Sequence, residues 1–177
     1  MDKGGSPHAQ PSTALLERMR RGIPLRIDAF GRFLFDNDPI THARTIAALR
    51  HGLDASDSGE PIVRVQDQWC YLHVDDCVFR VVGVTHEPEC SHSPRQLFLR
   101  LDDRRTVALD PDSLWEQHER GLRCTVPSRT GRPLAARFTN HAQMELARFL
   151  VVDEHTGTPE LCLGTRRYPI RSTSPGR

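Results

Sequence analysis

The seven residues HEPECSH, from His86 to His92, place two histidines, a cysteine and two glutamates in one short segment. Imidazole nitrogen and thiolate sulfur are donors that zinc prefers, which makes His86, Cys90 and His92 candidate metal ligands. A closed zinc site takes four such donors, usually from two spaced pairs. No second pair with matching spacing exists in the chain, and Cys70 and His73 lie three apart in an expected strand, so they face opposite ways. The segment follows VVGVT, precedes QLFLRL and carries Pro88 and Pro94. That pattern describes a polar connection between strands. The expectation is a loop without a resident metal, with a metal-dependent enzyme on His86, Cys90 and His92 as an alternative reading.

Other catalytic signatures are missing. The five cysteines, Cys70, Cys77, Cys90, Cys124 and Cys162, form no CxxC pair, and none sits in a strand-to-helix elbow. Cys70, Cys124 and Cys162 fall in apolar strands and read as small core residues. No GxxxxGK[ST] or GxGxxG loop is present. The pairs Asp75-Asp76 and Asp102-Asp103 fall where turns are expected, which accounts for them without catalysis. No catalytic residue and no cofactor is expected.

Binding is a better prospect. Two expected helices begin with a capping residue followed by histidine, Thr41-His42 and Asn140-His141. Helix N-termini carry free N–H groups and partial positive charge, a natural setting for an anion. Arg44 and Arg137 are close enough in sequence to add guanidinium groups. The expected ligand-binding set is therefore His42, Arg44, Arg137, Asn140 and His141. Plain helix capping is the structural alternative.

The elements that position this set follow from periodicity. A short helix is expected in STALLERMRR, ending at Gly22, and RIDAFGRFLFD reads as a hairpin around Phe30-Gly31. Thr41 is expected to cap HARTIAALRHGL, with Ile46, Leu49 and Leu53 on its apolar stripe. Short strands follow in IVRV, WCYLHV, VFRVVGVTH, QLFLRL, RTVALD, GLRCTV and RPLAARF. Asn140 is expected to cap HAQMELARFLVV, with Met144, Ala147 and Val151 as its stripe, before final strands in ELCLG and RRYPI. The fold class is α+β.

The two helical regions align. GRFLFDNDPITHARTIAALR, GEPIVRV and WCY correspond in order to GRPLAARFTNHAQMELARFL, GTPELCL and RRY. Gly31-Arg32 matches Gly131-Arg132, His42-Ala43 matches His141-Ala142, and Tyr71 matches Tyr168. The reading is an internal duplication of a hairpin-helix-hairpin unit, the copies packing together because neither buries its helix alone. Expected boundaries are 1–22 for an N-terminal segment and short helix, 23–95 and 96–171 for the two units, and 172–177 for a tail. A cleft between the units would be the natural ligand site.

Composition narrows the class. The chain has 37% hydrophobic and 27% charged residues and a net charge of +1, so it lacks a global field for nucleic acid or a membrane. MDKGGSPHAQPS contains no apolar secretory core, and the cysteines are odd in number, which implies a cytoplasmic setting.

Several stretches resemble the bacterial family known as domain of unknown function 1285: RIDAFGRF followed by DPI, WCYLHVDDCVF running into VVGV, ARFTNHAQMELARFL, and a closing G-x-x-x-YPI. Asp38 departs from the family's usual serine and Val78 from its usual proline. LDPDSLWEQHERGLRCTVP is also similar to uncharacterised protein family 0598. The first resemblance implies a tandem of α+β units, the second like a pleckstrin-homology fold, with a nucleotide-like ligand between them and a role in signal transduction. It carries no catalytic residue, and Gly31, Pro39 and Ile40, which match its pattern, read as structural. Together these readings make a non-enzymatic protein that binds a small anionic ligand for sensing or regulation, with a protein-interaction module as the rival.

Overall fold

The computed structural model describes residues 12–86, 96–118 and 120–173. Three α-helices, α1 (Thr13–Arg21), α2 (Ala43–His51) and α3 (Asn140–Ala147), accompany a larger content of short strands. In chain order the strands are β1 (Leu25–Ile27), β2 (Phe33–Phe35), β3 (Asp38–Pro39), β4 (Leu53–Ala55), β5 (Pro61–Val65), β6 (Gln68–Tyr71), β7 (His73–Val74) and β8 (Phe79–His86). Then follow β9 (Leu97–Leu101), β10 (Thr106–Ala108), β11 (Trp115–Gln117), β12 (Gly121–Pro127), β13 (Pro133–Phe138), β14 (Leu150–Val152), β15 (Pro159–Leu163), β16 (Arg166–Pro169) and β17 (Arg171–Thr173). The fold is α+β, as the sequence indicated.

A seven-stranded sheet in the order β10-β9-β8-β13-β12-β11-β17 forms the backbone of the molecule. A four-stranded sheet, β3-β2-β1-β7, and two three-stranded meanders, β4-β5-β6 and β14-β15-β16, complete it. One apolar cluster runs from Leu25 to Ile170 and includes Phe33, Phe79, Phe138 and Leu161. Strands β8 and β13 pair in parallel, with Arg80 opposite Arg137, and tie the two halves together at the sheet centre.

Local chemistry explains the helix ends. Ser12 Oγ accepts the Leu15 N–H of α1 at 3.3 Å, and Gly22 closes that helix. The caps of α2 and α3 each lie one residue away from the expected position. His42, not Thr41, caps α2, its Nδ1 accepting the Thr45 N–H at 3.3 Å. Thr139, not Asn140, caps α3; its hydroxyl accepts the Ala142 N–H at 3.3 Å and donates to the Val81 carbonyl at 3.0 Å. That second bond anchors the cap to β8, which an asparagine one residue later does not do here.

Two apolar stripes also differ from expectation. Helix α3 stops at Ala147, and the β-branched run that follows it pairs as β14 with β15. The face it buries is Ala142 and Leu146, while Met144 is 72% exposed. Leu53 belongs to β4, leaving Ile46 and Leu49 as the half-buried contacts of α2 with the core.

The β1–β2 and β12–β13 turns share their hydrogen bonds. Asp28 N–H donates to Arg32 O at 3.0 Å and Gly31 N–H to Asp28 O at 2.9 Å; Ser128 N–H donates to Arg132 O at 2.7 Å and Gly131 N–H to Ser128 O at 3.1 Å. Both glycines are left-handed, with φ of 82° and 83°. In the meanders, Gly59 N–H donates to Ser56 O at 2.9 Å and Gly157 N–H to Asp153 O at 2.8 Å. The β1–β2 and β12–β13 turns are thus alike, whereas the two meander turns differ in length by one residue.

Candidate functional site

Arg80, Arg137, Arg123, Trp115 and Arg171 occupy mutually paired positions across β8, β13, β12, β11 and β17. Paired residues share a sheet face, so the five form one transverse row. Three of its guanidiniums converge on the buried carboxylate of Asp76, in the turn before β8. Arg80 Nη1 lies 3.1 Å and Arg137 Nη1 3.2 Å from Asp76 Oδ2, while Arg123 Nη2 pairs with Oδ1. Burial pushes the Asp76 carboxyl upward, but the hydrogen bonds and charges of Arg80, Arg123 and Arg137 hold it below the usual carboxylate range. Arg123 Nε is buried and has no hydrogen-bond partner.

The row continues into the first half of the chain. Arg80 Nη2 donates to Ala29 O at 2.6 Å, and Arg50, at the end of α2, donates to Gly31 O. A buried arginine, Arg80, and a half-buried one, Arg50, therefore grip the β1–β2 turn. Arg50 Nη1 also faces Asp102 Oδ2 at 2.6 Å, yet neither atom makes a well-directed hydrogen bond. Burial pushes the Asp102 carboxyl above its ordinary range, with Arg50 opposing, and burial likewise lowers Arg50. This ion pair joins α2 to the β9–β10 turn.

A cavity of about 510 Å3 opens at that join, lined by Ala43, Ile46, Arg50 and His51 on one wall and by Asp102 to Arg104 on the other. Arg104 has φ of 72°, a conformation in which glycine or asparagine is the usual occupant. Asp103 is taken by Arg105 at 2.5 Å. Around the junction, Arg50, Arg80, Arg104, Arg105, Arg123 and Arg137 face Asp76, Asp102 and Asp103, an excess of positive charge.

The residues expected from sequence are distributed unevenly over this frame. Arg137 stands in the Asp76 cluster. His42 is exposed and precedes Ala43, which lines the junction cavity, and Arg44 is exposed on α2. Asn140 opens α3 and is exposed; His141 Nε2 meets Glu145 at 3.2 Å and lines a different cavity with Met144 and Arg148. The cavity beside α2 and the cavity beside α3 share no lining residue. His86 packs its ring edge-on against Phe149, with centroids 5.7 Å apart. Cys90 and His92 lie outside the described residues, among which no group of three His, Cys, Asp or Glu is placed to hold a metal ion.

The thiols of Cys70, Cys77 and Cys124 are not primed as nucleophiles. Burial, aided by Asp76, pushes the Cys77 thiol up to about 11, and burial raises Cys70 and Cys124 as well. The Asp76 cluster and the Arg50–Asp102 pair were missed in the sequence because turn propensity explains an Asp-Asp pair completely. The only available signal was the coincidence of two such pairs with an arginine one to four residues on, Arg80 and Arg104.

Two solved structures resemble this architecture. A crystal structure of a DUF1285 family protein from Silicibacter pomeroyi superposes with a TM-score of 0.62 at 15% identity, covering 84% of this chain and 79% of that one. The chain has the fold of a DUF1285 family protein. A second DUF1285 family protein, from Shewanella baltica, matches with a TM-score of 0.47 at 15% identity over 67% of this chain and 86% of that one. No family model and no curated protein matches the chain. No helix among the described residues is long and apolar enough to cross a membrane.

Proposed function

We propose that this protein is a non-enzymatic binder of a small anionic ligand, held in the cavity between α2 and the β9–β10 turn and serving a sensing or regulatory role. The observation that carries this reading is the Arg50–Asp102 contact. Two buried charged atoms face each other at 2.6 Å across the join without a well-directed hydrogen bond, on the floor of a 510 Å3 cavity. The Arg50 N–H left without a well-directed hydrogen bond and the surrounding excess of arginine favour an incoming anion, against the opposing charge of Asp102. Arg104 supplies an exposed guanidinium at the rim, and His42 stands beside the same wall. A nucleotide-like acid, the class implied by the family resemblance, would suit this charge. The units 23–95 and 96–171 are read as copies of one ancestral unit, with α2 and the β9–β10 turn meeting at their boundary.

Calorimetry with inorganic phosphate as the probe tests this. Wild type should bind, and Arg104→Ala should weaken binding about tenfold through loss of one charge-assisted contact. Equal affinity in the two proteins would remove the cavity from consideration.

A protein-interaction module is the second reading, favoured by Phe30. Its ring is 80% exposed on a turn whose flanking carbonyls are held by Arg80 and Arg50. A rigid, exposed aromatic is a typical interface anchor. A partner captured by wild type and lost with Phe30→Ala would favour this reading.

A further inference from the structure

We infer that the groove between α1, α2 and the β5–β6 hairpin is a second binding site, for a small amphipathic carboxylic acid of the medium-chain fatty acid type. It lies apart from the junction cavity and shares no lining residue with it.

The groove encloses about 340 Å3, within the size range of small-molecule sites. Val63 and Cys70 form its floor, Leu16 and Ile23 one wall, and Leu49 the other. Burial holds the Cys70 thiol above its ordinary range, so the floor stays uncharged near neutral pH. The rim is unusually apolar for exposed surface. Met19 is 61%, Val65 44% and Ile23 41% exposed. These side chains leave apolar area in water that an alkyl chain laid along the groove would cover.

The choice of headgroup rests on Arg20. Its guanidinium lies 4.0 Å from the centroid of the Trp69 ring, beside the groove. Stacking uses the flat face of a guanidinium and leaves its N–H edge free for two parallel bonds to a carboxylate. The neighbouring Arg21 is already taken by Glu17 at 3.3 Å and Glu60 at 2.8 Å. Arg20 has no carboxylate partner among the described residues. An apolar trough with one oriented, uncompensated cation at its lip complements a molecule with an alkyl tail and one acid group.

The test is calorimetry on the full chain with decanoate, and with decanol and decylamine as comparators. Decanoate should bind more tightly than either comparator. Arg20→Gln should weaken decanoate about tenfold or more while leaving decanol unchanged. Val65→Glu, at an exposed rim position, should weaken decanoate by placing a charge against its alkyl chain. Both substitutions are on the surface, and far-UV circular dichroism verifies that each variant is folded. Arg104→Ala should leave decanoate binding intact, so failure of the junction cavity and failure of this site are distinguishable. The proposal is overturned if decanoate does not bind, or if Arg20→Gln and Val65→Glu bind it as wild type does. Self-association abolished by Val65→Glu, without decanoate binding, would assign the groove to a second copy of the chain and overturn it equally.

Discussion

A β carbon on Gly31 would stand 2.8 Å from Arg80 Nε, so this glycine and this arginine can be neighbours only because the glycine has no side chain. Arg80 has little freedom to retreat, since its guanidinium is bound to Ala29 O and Asp76. Gly131, at the matching place in the β12–β13 turn, has nearly the same φ but nothing within 4 Å of the added carbon.

The pair makes a controlled comparison. Gly131→Ala should cost only the left-handed backbone penalty, about 1–2 kcal/mol. Gly31→Ala should cost that and the displacement of a buried guanidinium, about 3 kcal/mol or more. Urea denaturation of both variants measures the difference. Equal losses would mean that Arg80 moves aside freely.

Asp76 and Asp102 are predicted to respond oppositely to pH. The folded pKa of Asp76 is depressed, so its ionisation stabilises the fold above its unfolded pKa of about 3.9, and that contribution disappears as pH falls through the folded value. Asp102 has a raised folded pKa, so its ionisation weakens the fold as pH rises through that value. Asp76→Asn should therefore cost about 3–5 kcal/mol at neutral pH, having left three guanidiniums without their counter-ion, and should flatten the acid limb of the stability profile. Asp102→Asn should cost clearly less at the same pH. Denaturation midpoints between pH 3 and pH 7 measure both, and the reverse order of losses would refute the assignment of the two carboxylates.

Element order was largely legible because each element carries local signals. Ser12 and Gly22 bracket α1, alternation marks the strands, and the glycines at 31, 59, 131 and 157 mark turns by their positive φ. Caps were harder, since Thr41-His42 and Thr139-Asn140 each offer two adjacent residues able to accept an N–H. Only the tertiary bond from Thr139 to Val81 distinguishes them at α3. The strand β14 was hidden because Leu150 to Val152 fits a helix face as well as a strand, and pairing with β15 decides it. The charge cluster was not legible. Arg50, Arg80, Arg123 and Arg137 come from separate elements, and nothing local marks strand residues whose shared neighbour is a distant aspartate.

The cap of α2 separates structure from binding. His42 Nδ1 accepts the Thr45 N–H at a long 3.3 Å, and imidazole is not among the favoured capping groups. His42→Ser should raise stability by about 0.5–1 kcal/mol, whereas Thr139→Ala, which loses both a cap and the Val81 bond, should lower it by about 1–2 kcal/mol. Thermal midpoints read both effects. If His42→Ser is instead destabilising, the imidazole contact with Thr45 Oγ1, 3.0 Å from Nδ1, outweighs the better cap.

Arg104 offers a comparison in which stability and binding should move in opposite directions. It holds a left-handed conformation, φ 72°, at the β9–β10 turn, where Arg104 N–H donates to Leu101 O at 3.0 Å. A non-glycine residue there bears strain of about 1–2 kcal/mol, partly offset in a glycine variant by about 0.5–1 kcal/mol of extra chain entropy on unfolding. Arg104→Gly should therefore stabilise the protein by about 0.5–1 kcal/mol. The same substitution removes the exposed guanidinium at the cavity rim, so affinity for inorganic phosphate should fall about tenfold. Denaturation and calorimetry on this single variant read both quantities. A variant that is more stable and binds phosphate as tightly as wild type would show that the strained arginine has no part in binding.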